Sequence, residues 1–220
     1  MIVYIYNGIH FCYLVNPKCG THTFYNFYYL FLRKYIEQIH FGNSELNNLE
    51  YSNYNYYHCN LEGALKFFEE KNINLQNVVF FTTIRNPFER VLSNYWYNLK
   101  FNKLNKISNN LTQQEDFNNF VLNSGHYINF EPKNFRFHQS YNVHVLRLEN
   151  WSEDFKIFCE KYKLPSHQEN CFYEEVKLNT SDRKELLEFN EEVKDYIIKN
   201  YHMDFIDGKY DFNPNYNNDK

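Results

Sequence analysis

Long apolar runs are missing from this 220-residue chain, and no stretch approaches the roughly 18 to 20 consecutive apolar residues that a membrane-spanning helix requires. The opening MIVYIYNGIHFCYLVNP has neither the basic start nor the small-residue cleavage site of a signal peptide, so a soluble, intracellular protein is expected. Excess positive charge is missing as well. With 23 Lys and Arg against 27 Asp and Glu the formal net charge is -4, which argues against a face that grips nucleic acid non-specifically and leaves room only for a local basic pocket. The five cysteines, Cys12, Cys19, Cys59, Cys159 and Cys171, are odd in number and include no CxxC pair. Neither a disulfide framework nor a zinc ribbon is indicated, and reduced thiols are expected. None of the nine histidines stands in HxxxH or HExxH spacing, so no metal is expected. Glycine and proline are scarce, at 6 and 5 residues. Together with the excess of Tyr, Asn, Lys, Phe and Ile, this looks like the residue usage of an AT-rich genome and carries no functional weight. What the chain does have is aromatic residues: 21 Tyr and 22 Phe should make much of the core a packing of rings. The length suits one substantial core, so a single domain is expected over residues 1–211, with 212–220 as a frayed polar tail.

His10 to Val15 reads as a buried strand stopped at Asn16-Pro17. From Thr21 to about Ile39 there is no Gly or Pro, and Phe24, Phe27, Tyr28, Phe31, Leu32 and Tyr35 recur at helical spacing. Asn43 to Tyr57 has no periodicity and reads as irregular. Asn60 is placed to cap a helix from Leu61 to about Lys71, with Leu61, Leu65 and Phe68 on one face. Val78 to Ile84 has the β-branched and aromatic content of a strand buried on both faces. Pro87 suits the first turn of the next helix, whose buried face is Val91, Leu92, Tyr95 and Leu99. Thr112-Gln-Gln-Glu115 has the form of a capping box before a helix bearing Phe117, Phe120, Val121 and Leu122. Val143 to Leu148 is a third strand, followed by a helix from about Ser152 to Tyr162, and Thr180 and Ser181 cap a long helix reaching about Asn200. Alternating strands and helices predict an α/β fold, a central parallel sheet flanked by helices, with ligands beyond the carboxyl ends of the strands.

Two segments fall at such ends. In Pro17-Lys18-Cys19-Gly20-Thr21-His22-Thr23 a lysine, a glycine and two hydroxyls occupy the turn between a strand and a helix. A helix N-terminus offers unpaired N–H groups, Gly20 lets the backbone approach an anion, Thr21 and Thr23 add hydroxyls and Lys18 a charge, so the turn has the makings of a phosphate seat. It is not a Walker A motif, because Lys18 precedes its only glycine. An ordinary helix cap with a solvated lysine fits the same residues. The second segment, Arg85-Asn86-Pro87-Phe88-Glu89-Arg90-Val91-Leu92-Ser93-Asn94-Tyr95, sets a guanidinium at a strand end and a hydroxyl two turns later, able to hold an anion between them. Arg85 also fits a salt bridge that closes the loop, and Glu89 and Arg90 fit plain surface charges.

In this order, PKxGTxT and then R[DN]PxxRxxSxY, the two segments resemble the 5′-phosphosulfate- and 3′-phosphate-binding segments of sulfotransferases that use PAPS (3′-phosphoadenosine 5′-phosphosulfate), especially the carbohydrate branch of Golgi-type, heparan and chondroitin enzymes. Phe137-His138-Gln139, Val145 to Trp151 with Asp154-Phe155, and Lys177 to Ser181 are similar to later parts of that branch, so the resemblance runs from about residue 10 to about 211. It implies a sulfotransferase fold with a P-loop-like strand, loop and helix. It further implies Lys18, Cys19, Gly20, Thr21, His22 and Thr23 on the 5′-phosphosulfate, Arg85 and Ser93 on the 3′-phosphate, and a place for Thr180 and Ser181 in the cofactor pocket, although a helix cap explains that last pair equally. His22 departs from the commoner Thr or Ser at its position, and its imidazole adds a charge that responds to pH. The implied reaction moves a sulfonate from PAPS to an acceptor hydroxyl, most plausibly on a sugar, leaving PAP (3′,5′-adenosine bisphosphate) and needing no metal. Lys18 is the electrostatic candidate, and His58, placed like the histidine of the 2-O-sulfating enzymes, is the candidate base; Asn60 is an alternative for that aligned position, and Glu62, His138 and Glu50 are alternative bases. The acceptor loops, Asn43 to Tyr57 and Lys103 to His138, carry no readable code. Animal relatives usually have a membrane anchor, so its absence suggests a bacterial, protist or viral source. An ATP-dependent phosphotransferase and a non-catalytic nucleotide- or glycan-binding module remain as rival readings.

Overall fold

The computed structural model describes residues 1–16, 18–20, 24, 38–41, 61–100, 111–123, 142–164 and 187–213. The chain divides into two compact units, Met1–Ile84 with Lys133–Leu178 and Arg85–Pro132 with Asn179–Lys220.

The first unit is built on a five-stranded sheet of β1 (Ile2–Tyr6), β2 (Ile9–Leu14), β3 (Gln38–Phe41), β4 (Val78–Ile84) and β5 (Val143–Arg147), in the order β3-β1-β2-β4-β5. The expected α/β class holds, but the sheet is mixed rather than parallel. β2, β4 and β5 run parallel, while β1 is antiparallel to both β2 and β3. The cause is Asn7-Gly8, which joins β1 to β2 with both residues at positive φ, 49° and 73°. A two-residue turn of this kind connects only antiparallel strands, and Asn-Gly is the pair that tolerates it. β3 corrects the helix expected from Thr21 to about Ile39, since Gln38 and Ile39 pair with Ile5 and Tyr4 of β1. No Gly or Pro stands between Thr21 and Gln38 to end the helical spacing.

Strand alternation sorts the side chains into two cores. Ile2 and Tyr4 of β1, Phe11 and Tyr13 of β2 and Phe81 of β4 point to one face, which helix α4 (Trp151–Tyr162) covers with Trp151, Phe155 and Phe158. Val3, Cys12, Leu14 and Phe80 point to the other, against Leu61, Ala64, Phe67 and Phe68 of helix α1 (Leu61–Glu70). The aromatic composition is spent here: Phe81, fully buried, has ring neighbours Tyr4, Tyr13, Phe24 and Phe158 at centroid distances of 4.9 to 6.2 Å.

The second unit contains α2 (Pro87–Lys100), α3 (Gln113–Asn123), α5 (Glu191–Asn200) and α6 (His202–Gly208). Its helix starts follow cap chemistry. Asn86 accepts from the Phe88 N–H and Pro87 opens α2, where proline's missing donor costs nothing. The Thr112 and Glu115 side chains close the expected capping box on α3. The long helix expected from Thr180 to Asn200 is corrected: residues 187–190 are not helical, and Asn190 caps α5 by accepting from the Val193 N–H at 2.9 Å. An asparagine in front of two glutamates is a stronger start signal than a helical spacing that runs through it.

Candidate functional site

The carboxyl ends of β2 and β4 lie side by side, with Leu14 opposite Thr82. Side chains stitch them together beyond the ladder. The Thr82 hydroxyl donates to the Leu14 carbonyl at 2.7 Å, the Tyr13 and Thr83 hydroxyls share a hydrogen bond at 2.6 Å, and Asn16 Nδ2 donates to the Thr83 carbonyl at 3.1 Å. All of these residues are buried.

From this anchored end the chain turns sharply. The Cys19 N–H donates to the Asn16 carbonyl at 3.2 Å, and Lys18 and Gly20 both take left-handed conformations, φ 63° and 82°. Tight turns with left-handed residues are among the backbone shapes from which anion-binding concavities are built; here the Cys19 N–H is the one already used to close the turn. The Phe24 N–H then donates to the Gly20 carbonyl at 2.9 Å, and Phe24 is helical. Phe24 is fully buried against Tyr13, Phe81 and Trp151, so the loop is pinned at both ends. Lys18 is half-buried and Cys19 is a buried, reduced thiol. The positive φ of Gly20 calls for glycine, and a Cβ there would also lie 2.5 Å from Cδ1 of Leu148, at the movable end of that side chain. Pro17, Thr21, His22 and Thr23 of the expected phosphate seat lie outside the described residues.

The turn that carries Leu148 is itself clamped. Asp154, in the first turn of α4, accepts from the Arg147 N–H, Nε and Nη2 at 2.8, 2.9 and 2.7 Å and from Asn150 Nδ2 at 2.7 Å. Burial by itself raises the Asp154 carboxyl; the hydrogen bonds from the Arg147 side chain and backbone and from Asn150 outweigh it and hold the group below its ordinary range. A carboxyl depressed in this way adds stability that is fully present above its unfolded pKa of about 3.9 and is lost as pH falls through the lower folded value. Urea unfolding should therefore show stability declining below about pH 4, with Asp154→Asn flattening that decline. An acid slope unchanged in the variant would show that the clamp is not its source.

The second segment starts one peptide bond after the last residue of β4 and belongs to the other unit. Arg85 is half-buried, and its Nη2 meets Glu89 Oε2 at 3.2 Å one helical turn along. The salt bridge weighed against an anion-binding role is thus present, in a form worth only about 0.3 to 0.5 kcal/mol. Ser93 is half-buried on α2. Arg90 corrects the expectation of a surface charge: its side chain is 5% exposed and paired at 3.2 Å with Asp204 of α6, itself 1% exposed. Nothing local announces this partner, which lies 114 residues away.

His58, Asn60, Glu50, His138, Thr180 and Ser181 lie outside the described residues. Glu62, one of the alternative bases, is exposed on the first turn of α1. Among the described residues no group of three His, Cys, Asp or Glu is placed to hold a metal ion, and no helix is long and apolar enough to cross a membrane. Sequence reading missed Asn16, whose place before Pro17 suggested only a turn, along with Thr82, Thr83 and Leu148, which look like ordinary strand residues. No protein-family model, curated protein or solved structure matches the chain.

Proposed function

We propose that this protein is a sulfotransferase that moves the sulfonate of PAPS to an acceptor hydroxyl, with a carbohydrate as the acceptor class. The observation that carries the reading is the turn at Lys18 and Gly20, left-handed at both residues, which follows the buried end of β2 and leads to helical Phe24. Its sequence is the one that resembles a 5′-phosphosulfate seat. In this reading Lys18, Cys19, Gly20, Thr21, His22 and Thr23 take the phosphosulfate, Arg85 and Ser93 take the 3′-phosphate, and Thr180 and Ser181 complete the pocket. The acceptor oxygen attacks sulfur in line, the bond from sulfur to the bridging phosphate oxygen breaks, and PAP leaves carrying the negative charge. Lys18 stabilises that charge, and His58 removes the acceptor proton.

The Arg85 and Glu89 pair is compatible with an anion-binding role for Arg85, because so weak an ion pair can yield its guanidinium to a phosphate at little cost. The same strand end bears arginine where an ATP-dependent phosphotransferase would want an acidic metal ligand.

Thermal unfolding with PAP, 5′-AMP and Mg-ATP side by side tests the proposal. PAP at about 100 times its dissociation constant adds about 2.7 kcal/mol, which raises the midpoint of a chain of this size by roughly 5 to 10 °C. We expect that rise with PAP and little with 5′-AMP, which lacks the 3′-phosphate. A rise with Mg-ATP and none with PAP would overturn the reading in favour of phosphoryl transfer. PAP binding without transfer to a broad panel of hydroxyl acceptors would favour a binding module.

A further inference from the structure

We propose that Asn16 is the positioning residue of the Lys18 to Gly20 turn, holding it in its left-handed form against the end of β4; the consequence for PAPS rests on the function proposed above. Asn16 is 3% exposed and acts at two places at once. Its backbone carbonyl accepts from the Cys19 N–H at 3.2 Å, closing the turn, while its side-chain Nδ2 donates to the Thr83 carbonyl at 3.1 Å, tying that turn to the neighbouring strand. Lys18 stands two residues on, so a shift of the Asn16 carbonyl displaces the charged residue and the N–H groups that follow it.

The chemistry required at this position is narrow. The group facing it is a carbonyl oxygen at a buried strand end, so the side chain must donate a hydrogen bond and must be short. Aspartate would set an acceptor against an acceptor and bury a charge, alanine offers nothing, and glutamine is one methylene too long for a closed site. The neighbouring Tyr13 and Thr83 hydroxyl pair joins the same two strands without touching the turn. It therefore supplies a control of matched burial and location.

The experiment compares Asn16→Ala and Asn16→Leu, the second close to asparagine in shape but without a donor, with Thr83→Val, which removes the Thr83 hydroxyl but keeps the carbonyl that Asn16 bonds. Two readouts are taken on the full chain: PAP affinity by calorimetry, and native-state hydrogen exchange of the Cys19 and Phe24 amides relative to Phe68 in α1. The Asn16 variants should weaken PAP at least tenfold and speed exchange at Cys19 and Phe24 selectively. Thr83→Val should leave PAP affinity within about twofold and move all three amides together, as a general loss of stability does. Leucine provides the test if alanine does not fold, and exchange in the leucine and valine variants is compared at equal distance from their urea midpoints.

Unchanged PAP affinity in a folded Asn16 variant, or exchange that rises equally at Phe68, overturns the positioning role. If the unaltered protein binds no PAP, the sulfotransferase reading fails by itself, and the exchange comparison alone decides whether Asn16 holds the turn. The two failures are thus distinguishable.

Discussion

Arg90→Ala is expected to lower the stability of the protein by about 3 to 5 kcal/mol, read as a large fall in the urea midpoint. The reason is burial of both partners: the Arg90 and Asp204 side chains are 5% and 1% exposed, so removing the guanidinium strands a carboxylate away from water. The guanidinium also lies over the Tyr201 ring, 5.3 Å from its centroid, and that stacking is lost too. Against a typical total of about 5 to 15 kcal/mol, such a loss leaves little margin. Asp204→Ala should cost a similar amount by stranding the arginine instead. Replacing both at once, as Arg90→Met with Asp204→Leu, should cost clearly less than the sum of the two alanine variants, because no lone charge remains. Arg85→Ala provides the contrast five residues earlier, since its partly exposed pair with Glu89 contributes about 0.3 to 0.5 kcal/mol. Equal costs at Arg85 and Arg90 would show that burial does not decide the value of these two arginines.

Lys18→Ala and His58→Ala are expected to separate binding from chemistry. Lys18 follows the anchored end of β2 in a left-handed conformation. In the proposed reaction its ammonium faces charge that grows on the leaving phosphate oxygen, so its loss should lower kcat by about 100- to 1000-fold, with weaker PAP binding as well. His58 acts on the acceptor side in this reading. Its replacement should leave PAP affinity unchanged and lower turnover by about 100- to 10,000-fold, the range for a positioned general base. The measurement is transfer of labelled sulfonate from PAPS with PAP affinity determined in parallel. Near-normal turnover in His58→Ala would move the base to Glu62, His138 or Glu50. Tight PAP binding and normal turnover in Lys18→Ala would remove the lysine from the site.

The turn at Lys18 to Gly20 was legible because its cues are local: an apolar run, an asparagine and proline that end it, and a glycine and hydroxyls before a helical period. The same holds for β4, for Asn86-Pro87 at the start of α2, and for the capping box at Thr112 and Glu115. Where local cues compete, reading by period failed, as at Asn190, where a cap interrupts an apolar spacing that could have continued. It failed too at Gln38, where no turn residue marks the change to strand.

By itself, then, the sequence determined the α/β class, most element positions in the described residues, the aromatic make-up of the core and the strand-to-helix turn proposed here as the donor seat, because side-chain period and cap chemistry act over a few residues. The mixed order of the sheet, the pairing of Arg90 with Asp204, the place of Leu148 beside Gly20 and the tie from Asn16 to Thr83 emerge only in the folded molecule. Each of these depends on which distant segments become neighbours. Pairing across a sheet and burial of a charge are settled by the partner that arrives, and no residue carries the identity of that partner in its own neighbourhood.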